Sequence, residues 1–150
     1  MNADPDVVKY VGGAPLTAGE SEEMSARLEG HWYAYGYGLC AIHVRESGAM
    51  VGFVGLSHPQ WWPEMIERLE VGWRLAREAW GFGYATEAAR TAVRAGCEVL
   101  GRAELVSFVH PENTRSLAVT ARFGMTEEAE VPHPTRDERI KIMRLACSRS

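Results

Sequence analysis

The sequence predicts one α/β domain, of the α+β type, built on a twisted mixed sheet. Two observations support this fold class. Short strands separated by turn residues predict an antiparallel meander in the first half, and strands alternate with helical patterns in the second half. The 150 residues are enough for one hydrophobic core, so we expect a single domain over residues 1–150.

Local signals place the elements in order. Thr17 and Glu20 form a capping box for the first long helix, which Gly36 ends. Apolar residues at helical spacing predict a second long helix from Tyr84 to Leu100. A third helix is predicted over residues 113–124, and strands are predicted over residues 37–46, 50–57, 68–76, 104–110, 125–131 and 139–146.

Composition excludes several classes of protein. The net charge is −4 and Lys/Arg runs are absent, so no nucleic-acid partner is expected. No apolar run approaches 18 residues and the N-terminus lacks signal-peptide features, so we expect neither a membrane span nor secretion. Cys40, Cys97 and Cys147 are odd in number and far apart, which predicts reduced thiols in the cytoplasm and no disulfide or metal site.

The stretch "AWGFGYATEA", residues 79–88, leads from a strand through two glycines into a helix. The first N–H groups of a helix lack intrahelical partners, and the helix dipole adds roughly half a positive charge there. Backbone groups of this stretch can therefore bind a pyrophosphate, through Gly81, Phe82, Gly83, Tyr84 and Ala85. A tight turn without a ligand remains the alternative. A P-loop is disfavoured because lysine is absent, and a dinucleotide fingerprint because Thr86 replaces its third glycine.

The run "LEVGWRLAREAWGFGYATEAARTAV", followed by "VHPENTRSLAVTARFGM", resembles the GNAT superfamily of N-acetyltransferases, and within it the RimJ/RimL-like branch. The resemblance extends over residues 2–145. It implies a sheet with two splayed strands that admit acetyl-CoA as cosubstrate, with the pyrophosphate at Gly81 to Thr86. It also implies that the pantetheine arm contacts Asn113 and pairs with the strand at Trp73, Arg74 and Leu75.

Three features depart from the family pattern. Glu78 replaces the usual Gln or Arg before the glycine loop, so we expect its side chain to face outward and Arg74 or Arg77 to lie nearer the phosphates. Thr120 stands where many members have a tyrosine that protonates the departing thiolate. We also expect the chain to begin after the usual first strand, which would leave a sheet edge bare or otherwise covered.

The mechanism implied by the resemblance is direct attack of an amine on the thioester. Strand alternation places Glu70, Gly72 and Arg74 on one face of their strand, so Glu70 can accept the amine proton, and the N–H near Trp73 can hold the oxyanion. Ser116 can protonate the thiolate. The alternatives are an ion-paired Glu70, a Ser116 bonded only to backbone, and an Asn113 that only caps its helix.

These features predict an acetyl-CoA-dependent N-acetyltransferase acting on a peptide or small-molecule amine. The alternative is a non-catalytic acyl-CoA-binding or sensor module with the same fold. Trp61 and Trp62 stand in a Pro-bounded loop. They are expected to line the acceptor pocket, to cover it as a lid, or to contact a second copy in a homodimer.

Overall fold

The computed structural model describes residues 1–12 and 14–148. Its helices are α1 (Pro5–Val8), α2 (Ala18–Tyr35), α3 (Tyr84–Arg94) and α4 (Thr114–Arg122). Its strands are β1 (Leu39–His43), β2 (Met50–Ser57), β3 (Glu70–Leu75), β4 (Glu104–Val109), β5 (Thr126–Pro132) and β6 (Arg139–Ala146). Short 3-10 turns occupy Pro63–Met65 and Arg77–Ala79, and a π-helical turn, Ala95–Val99, follows α3.

The six strands form one mixed sheet in the order β1-β2-β3-β4-β6-β5. The strands β1, β2 and β3 make the expected antiparallel meander. Helix α3 connects β3 to β4, the one parallel pair of neighbours in the described sheet, and β4 and β5 each pair with β6 in antiparallel fashion. The predicted fold class is confirmed.

Helix boundaries follow the local signals. The Thr17 hydroxyl accepts the Glu20 N–H at 3.2 Å, and the Glu20 carboxylate accepts the Thr17 N–H at 2.8 Å, so the capping box that begins α2 is complete. Gly36 ends α2 with φ of 76°. The helix predicted over residues 84–100 is α3 continued by the π turn, in which the Leu100 N–H reaches back five residues to the Ala95 carbonyl.

Helix α3 packs on one face of the sheet. Ala89 and Ala92 supply small side chains that let the helix approach the buried residues Leu56, Val71 and Leu105 closely. A second cluster on the sheet contains Trp62, Val106, Ile140 and Ile142. These two clusters fix β3 and β4, the strands between which the candidate site lies.

The prediction that the cysteines form no disulfide is wrong. Cys97, in the π turn, and Cys147, just after β6, form a disulfide whose Cα atoms are 5.4 Å apart. Cys147 is held beside the start of the neighbouring strand, because its N–H donates to the carbonyl of Ala103, the residue before β4. Cys40 is free and exposed. No helix in the described ranges is long and apolar enough to cross a membrane.

Candidate active site

The strands β3 and β4 separate soon after they meet. Their one register pair is Glu70 with Val106, where the Val106 N–H donates to the Leu69 carbonyl at 3.0 Å. The Ser107 hydroxyl then donates to the Val71 carbonyl at 2.7 Å, which replaces a backbone bond with a side-chain bond. Beyond this point the edge of β3 faces a gap. Sequence reasoning did not identify Ser107.

Alternation along β3 decides which backbone groups face this gap. The carbonyls of Leu69 and Val71 both point toward β4, so the backbone groups of Trp73 and Leu75 do so as well. The Leu75 carbonyl accepts the indole N–H of Trp80 at 3.1 Å. The Trp73 N–H and carbonyl therefore lie where an extended ligand can pair with β3 as a strand would.

A cavity of 850 Å³, here called the loop cavity, lies at the N-terminus of α3. Gly81 and Gly83 line it with φ of 85° and 79°, which other residues rarely adopt, and a Cβ at either position would meet nothing within 4 Å. In the part of the chain that the structure describes, no side chain caps the start of α3. The first N–H groups of this helix are therefore open to an anion that approaches over the glycines.

Arginines surround the loop cavity. Arg90, Arg115 and Arg122 line it. Arg122 Nη1 donates to Thr86 Oγ1 at 2.9 Å, and the Arg115 guanidinium lies 4.0 Å from the centre of the Trp80 ring. Sequence reasoning did not name these three arginines, although Arg115 and Arg122 are seven residues apart and so share one face of α4.

The residues expected around the phosphates have other surroundings. Arg77 pairs with Asp6 at 2.9 Å on the surface. Glu78 is exposed and is not among the residues lining the loop cavity, which agrees with the expectation that its side chain faces outward. Arg74 lines the loop cavity, but its side-chain contacts belong to the other side of β3.

A second cavity of 570 Å³, here called the strand cavity, lies along the Glu70 face of β3. Glu70, Gly72 and Arg74 line it together, and Val71 and Trp73, between them on β3, also belong to its lining. Trp61 contributes to its wall. Trp62 is buried in the core and is not part of that wall. Asn113 and Ser116 line both cavities, so they lie where the two cavities meet.

Glu70 is the most perturbed acid of the site. Burial raises the pKa of its carboxyl group to about 8, and burial is the sole cause, so no cation offsets the cost of ionising it. The ion-paired alternative is therefore not what the structure shows. A carboxyl group with this pKa changes its charge near neutral pH, as an acid–base catalyst must.

The N-terminus of α4 presents Ser116 to the cavities. Asn113 Oδ1 accepts the Ser116 N–H at 3.2 Å, so Asn113 does cap the helix. Thr120, one turn later, is fully buried and its hydroxyl donates to the Leu117 carbonyl at 2.7 Å. Sequence reasoning placed Ser116 and Thr120 on one helix face, but only Ser116 lines the cavities.

Comparison with known proteins identifies the family. The model of the acetyltransferase (GNAT) domain matches residues 1–126. The chain is 31% identical to the FsC-acetyl coenzyme A-N(2)-transacetylase of Aspergillus fumigatus over 180 aligned positions, covering all of this chain and 73% of that protein.

Solved structures show the same fold. An acetyltransferase from Agrobacterium tumefaciens superposes with a TM-score of 0.80 at 31% identity, covering 95% of this chain and 79% of that one. The structure of yncA from Salmonella typhimurium, which contains acetyl-CoA, superposes with a TM-score of 0.71 at 14% identity. The superposition covers 93% of this chain and 79% of that one. The chain therefore belongs to the GNAT acetyltransferase family and is an acetyl-CoA-dependent N-acetyltransferase.

Proposed function

We propose that this enzyme acetylates a primary amine, either the α-amine of a peptide or an amine of a small molecule, by direct attack on acetyl-CoA. The observation that carries the proposal is the position of Glu70 and Ser116. Glu70 is a carboxyl group of raised pKa in the strand cavity, and Ser116 lies where that cavity meets the loop cavity. We assign the enzyme to the RimJ/RimL-like branch on the sequence runs that resemble it.

The loop cavity fits acetyl-CoA. Gly81 and Gly83 leave open space over the start of α3, where the N–H groups of Tyr84, Ala85 and Thr86 can hold the pyrophosphate. The side chain of Phe82, between them, is exposed and stacks on Tyr84, so only its backbone is available to the phosphates. Trp73 directs its backbone groups into the gap between β3 and β4, where the pantetheine arm would extend beside Leu75 and Asn113. Arg122 and Arg115 add positive charge beside the loop.

The chemical step needs two proton transfers. The amine nitrogen forms a bond to the thioester carbon, the carbon–sulfur bond breaks, and the sulfur leaves as a thiolate. Glu70 accepts the proton from the amine, directly or through one water. The Ser116 hydroxyl supplies the proton to the thiolate and regains one from water, and Glu70 releases its proton to water before the next turnover. The Trp73 N–H holds the carbonyl oxygen as charge develops on it.

The pKa of Glu70 favours an amine of low pKa. An α-amine titrates near 8, so roughly a tenth is neutral at pH 7, whereas a lysine side chain is neutral in fewer than about one molecule in a thousand. Proton transfer from an α-ammonium group to a carboxylate with a pKa of about 8 is close to balanced. The strand cavity, at 570 Å³, has the volume of a small-molecule site.

The test compares acceptors and measures the free thiol of CoA. A peptide with a free N-terminus and a small-molecule amine should be acetylated faster than a peptide that is blocked at its N-terminus and carries one lysine. Faster acetylation of the lysine peptide would contradict the preference. Binding of acetyl-CoA without thiol release in any amine would instead favour the non-catalytic alternative.

A homodimer stays a prediction. The cytoplasmic location rested partly on reduced thiols, and the Cys97–Cys147 disulfide removes that support.

A further inference from the structure

Arg74 is an arginine enclosed by the wall of the strand cavity. Its Nη1 donates to Asn2 Oδ1 at 2.9 Å and lies 3.8 Å from Met24 Sδ, and its guanidinium lies over the Phe53 ring at 5.3 Å. Its Nε is buried without a hydrogen-bond acceptor in the described part of the chain. Met24 and Phe53 line the strand cavity and not the loop cavity, so the guanidinium belongs to the strand-cavity side of β3.

The other arginines of the strand cavity have carboxylate partners. Arg136 lies 2.9 Å from Glu138, and Arg139 lies 3.1 Å from Glu130. Among residues 1–12 and 14–148, no carboxylate lies within salt-bridge distance of Arg74. Arg74 is thus the uncompensated cation of this cavity.

Glu70 does not supply the missing charge. It shares a strand face with Arg74 but stands four residues away, which separates their Cα atoms by about 13 Å. Burial alone raises the pKa of Glu70 and burial alone lowers that of Arg74, so neither group is shifted by the other. An enclosed charge without a partner costs free energy, and a ligand that brings the opposite charge offsets that cost.

We propose that Arg74 binds a carboxylate of the amine acceptor, and that the acceptor is a small molecule with its amine and its carboxylate at separate ends. The inference rests on the proposed function and narrows its substrate class. The amine meets Glu70 at one end of the strand cavity, and the carboxylate meets the Arg74 guanidinium through Nη2, since Nη1 is held by Asn2 and Nε is enclosed. This assigns Arg74 to the acceptor and not to acetyl-CoA.

The test uses matched pairs of acceptors that differ only in charge. Oligoglycines of increasing length, such as diglycine and triglycine, have an α-amine that titrates near 8, and they are compared with their C-terminal amides in wild type, Arg74→Gln and Arg74→Lys. At the best length, the wild type should prefer the carboxylate by about 10- to 100-fold in kcat/KM, the range expected for a charge-assisted contact. Arg74→Gln should reduce the ratio to about 1, and Arg74→Lys should keep part of it.

Arg139→Gln is the matched control, because it removes a cavity arginine that already has a carboxylate partner. It should leave the ratio unchanged. An equal rate for acid and amide in the wild type would overturn the proposal. So would an Arg74→Gln enzyme that keeps the ratio but binds acetyl-CoA 10-fold more weakly, a result that would return Arg74 to the cosubstrate.

Two measurements distinguish this proposal from a failure of the proposed function and from a purely structural role of Arg74. Calorimetry of triglycine against the complex with CoA detects the carboxylate contact even if no amine is acetylated. Binding that Arg74→Gln abolishes would support the contact while the proposed function fails, and no binding to the wild type would overturn it. Thermal unfolding tests a purely structural role: Arg74→Gln should unfold at the same temperature or higher, and a large decrease would contradict the proposal.

Discussion

The carboxyl group of Glu70 links the stability of the protein to its proposed chemistry. Its pKa is raised from 4.5 to about 8, so the native state keeps a proton that the unfolded chain has lost between those two values. The free energy of unfolding therefore falls as pH rises through that window. A group that makes the fold less stable as it ionises is typical of a functional site.

Glu70→Gln should remove this dependence. The amide stays neutral at all pH values, so the variant should be more stable than the wild type by about 1–3 kcal/mol at pH 9, with little difference at pH 4. We expect this gain in the free energy of unfolding to be smaller than the value that corresponds to the whole pKa shift, because the carboxyl group retains some contact with the cavity. Urea unfolding at both pH values measures it, and an equal difference at pH 4 and pH 9 would contradict the raised pKa.

The same variant tests the acid–base role. The wild-type rate should rise with pH with an apparent pKa near 8, as Glu70 and the α-amine lose their protons. Glu70→Gln should be slower at pH 8 and should move the profile to higher pH, because the amine must then lose its proton to bulk water. Identical profiles for the two enzymes would exclude Glu70 from the mechanism.

The role of Ser116 as proton donor is tested by removing its hydroxyl group. Ser116→Ala should lower kcat by roughly 10- to 1000-fold and leave acetyl-CoA binding nearly unchanged, since proton transfer to the thiolate is lost. Thr120→Val is the matched control, because that hydroxyl is buried and bonded to Leu117. The control should lose about 1 kcal/mol of stability but keep its kcat. A Ser116→Ala enzyme with full kcat would mean that water protonates the thiolate.

Single site residues could be predicted from the sequence where the period of a strand or of a helix places them on a known face. Glu70 and Arg74 could be placed on one face of β3 because the period of a strand is two. Ser107 and Arg122 could not be found this way, since their partners Val71 and Thr86 are each 36 residues away. The same limit applied to Thr120, whose burial depends on tertiary packing and not on its spacing from Ser116.

At the scale of elements, the start of α3 combines a glycine loop with uncapped N–H groups. Substituting Gly83 would test the anion site poorly, because its φ of 79° would also strain any other residue. Ala85 lies in the first turn of α3 and lines the loop cavity without such strain. An acidic side chain at this position stabilises the helix through its dipole but repels a pyrophosphate.

Ala85→Glu should therefore weaken acetyl-CoA binding by at least about 10-fold while the unfolding temperature stays equal or rises. Ala85→Gln has nearly the same shape without the charge, so it should lose much less affinity. Calorimetry with acetyl-CoA at low salt measures both variants. Equal affinities for the Glu and Gln variants would show that the phosphates do not lie at this helix N-terminus.

Elements with local signals were predicted and those set by tertiary contacts were not. The capping box of Thr17 and Glu20 lies within one turn, so the start of α2 was readable. The divergence of β3 from β4 was implied only by the family resemblance, because it depends on how Ser107 and Val71 meet. The π turn after Arg94 carried no signal that distinguishes it from a continued helix.

At the scale of the whole molecule, the Cys97–Cys147 disulfide joins the end of the α3 segment to the end of the sheet. The two residues are 50 positions apart, and nothing local in the sequence indicates that they pair. The bond closes a loop that contains β4, α4, β5 and β6. It therefore restrains the third of the unfolded chain that carries Asn113 and Ser116.

Breaking this disulfide should destabilise the fold. Loss of the restraint on a 50-residue loop corresponds to about 4 kcal/mol by chain entropy, and measured effects are commonly about 2–4 kcal/mol. Addition of dithiothreitol should lower the free energy of unfolding of the wild type by that amount. The variant Cys97→Ser/Cys147→Ser should show the same loss and no further response to reductant.

Thiol titration of the unfolded protein without reductant gives the decisive check, because the disulfide leaves Cys40 as the one reactive thiol. Three reactive thiols and an unfolding midpoint insensitive to reductant would show that the bond is absent.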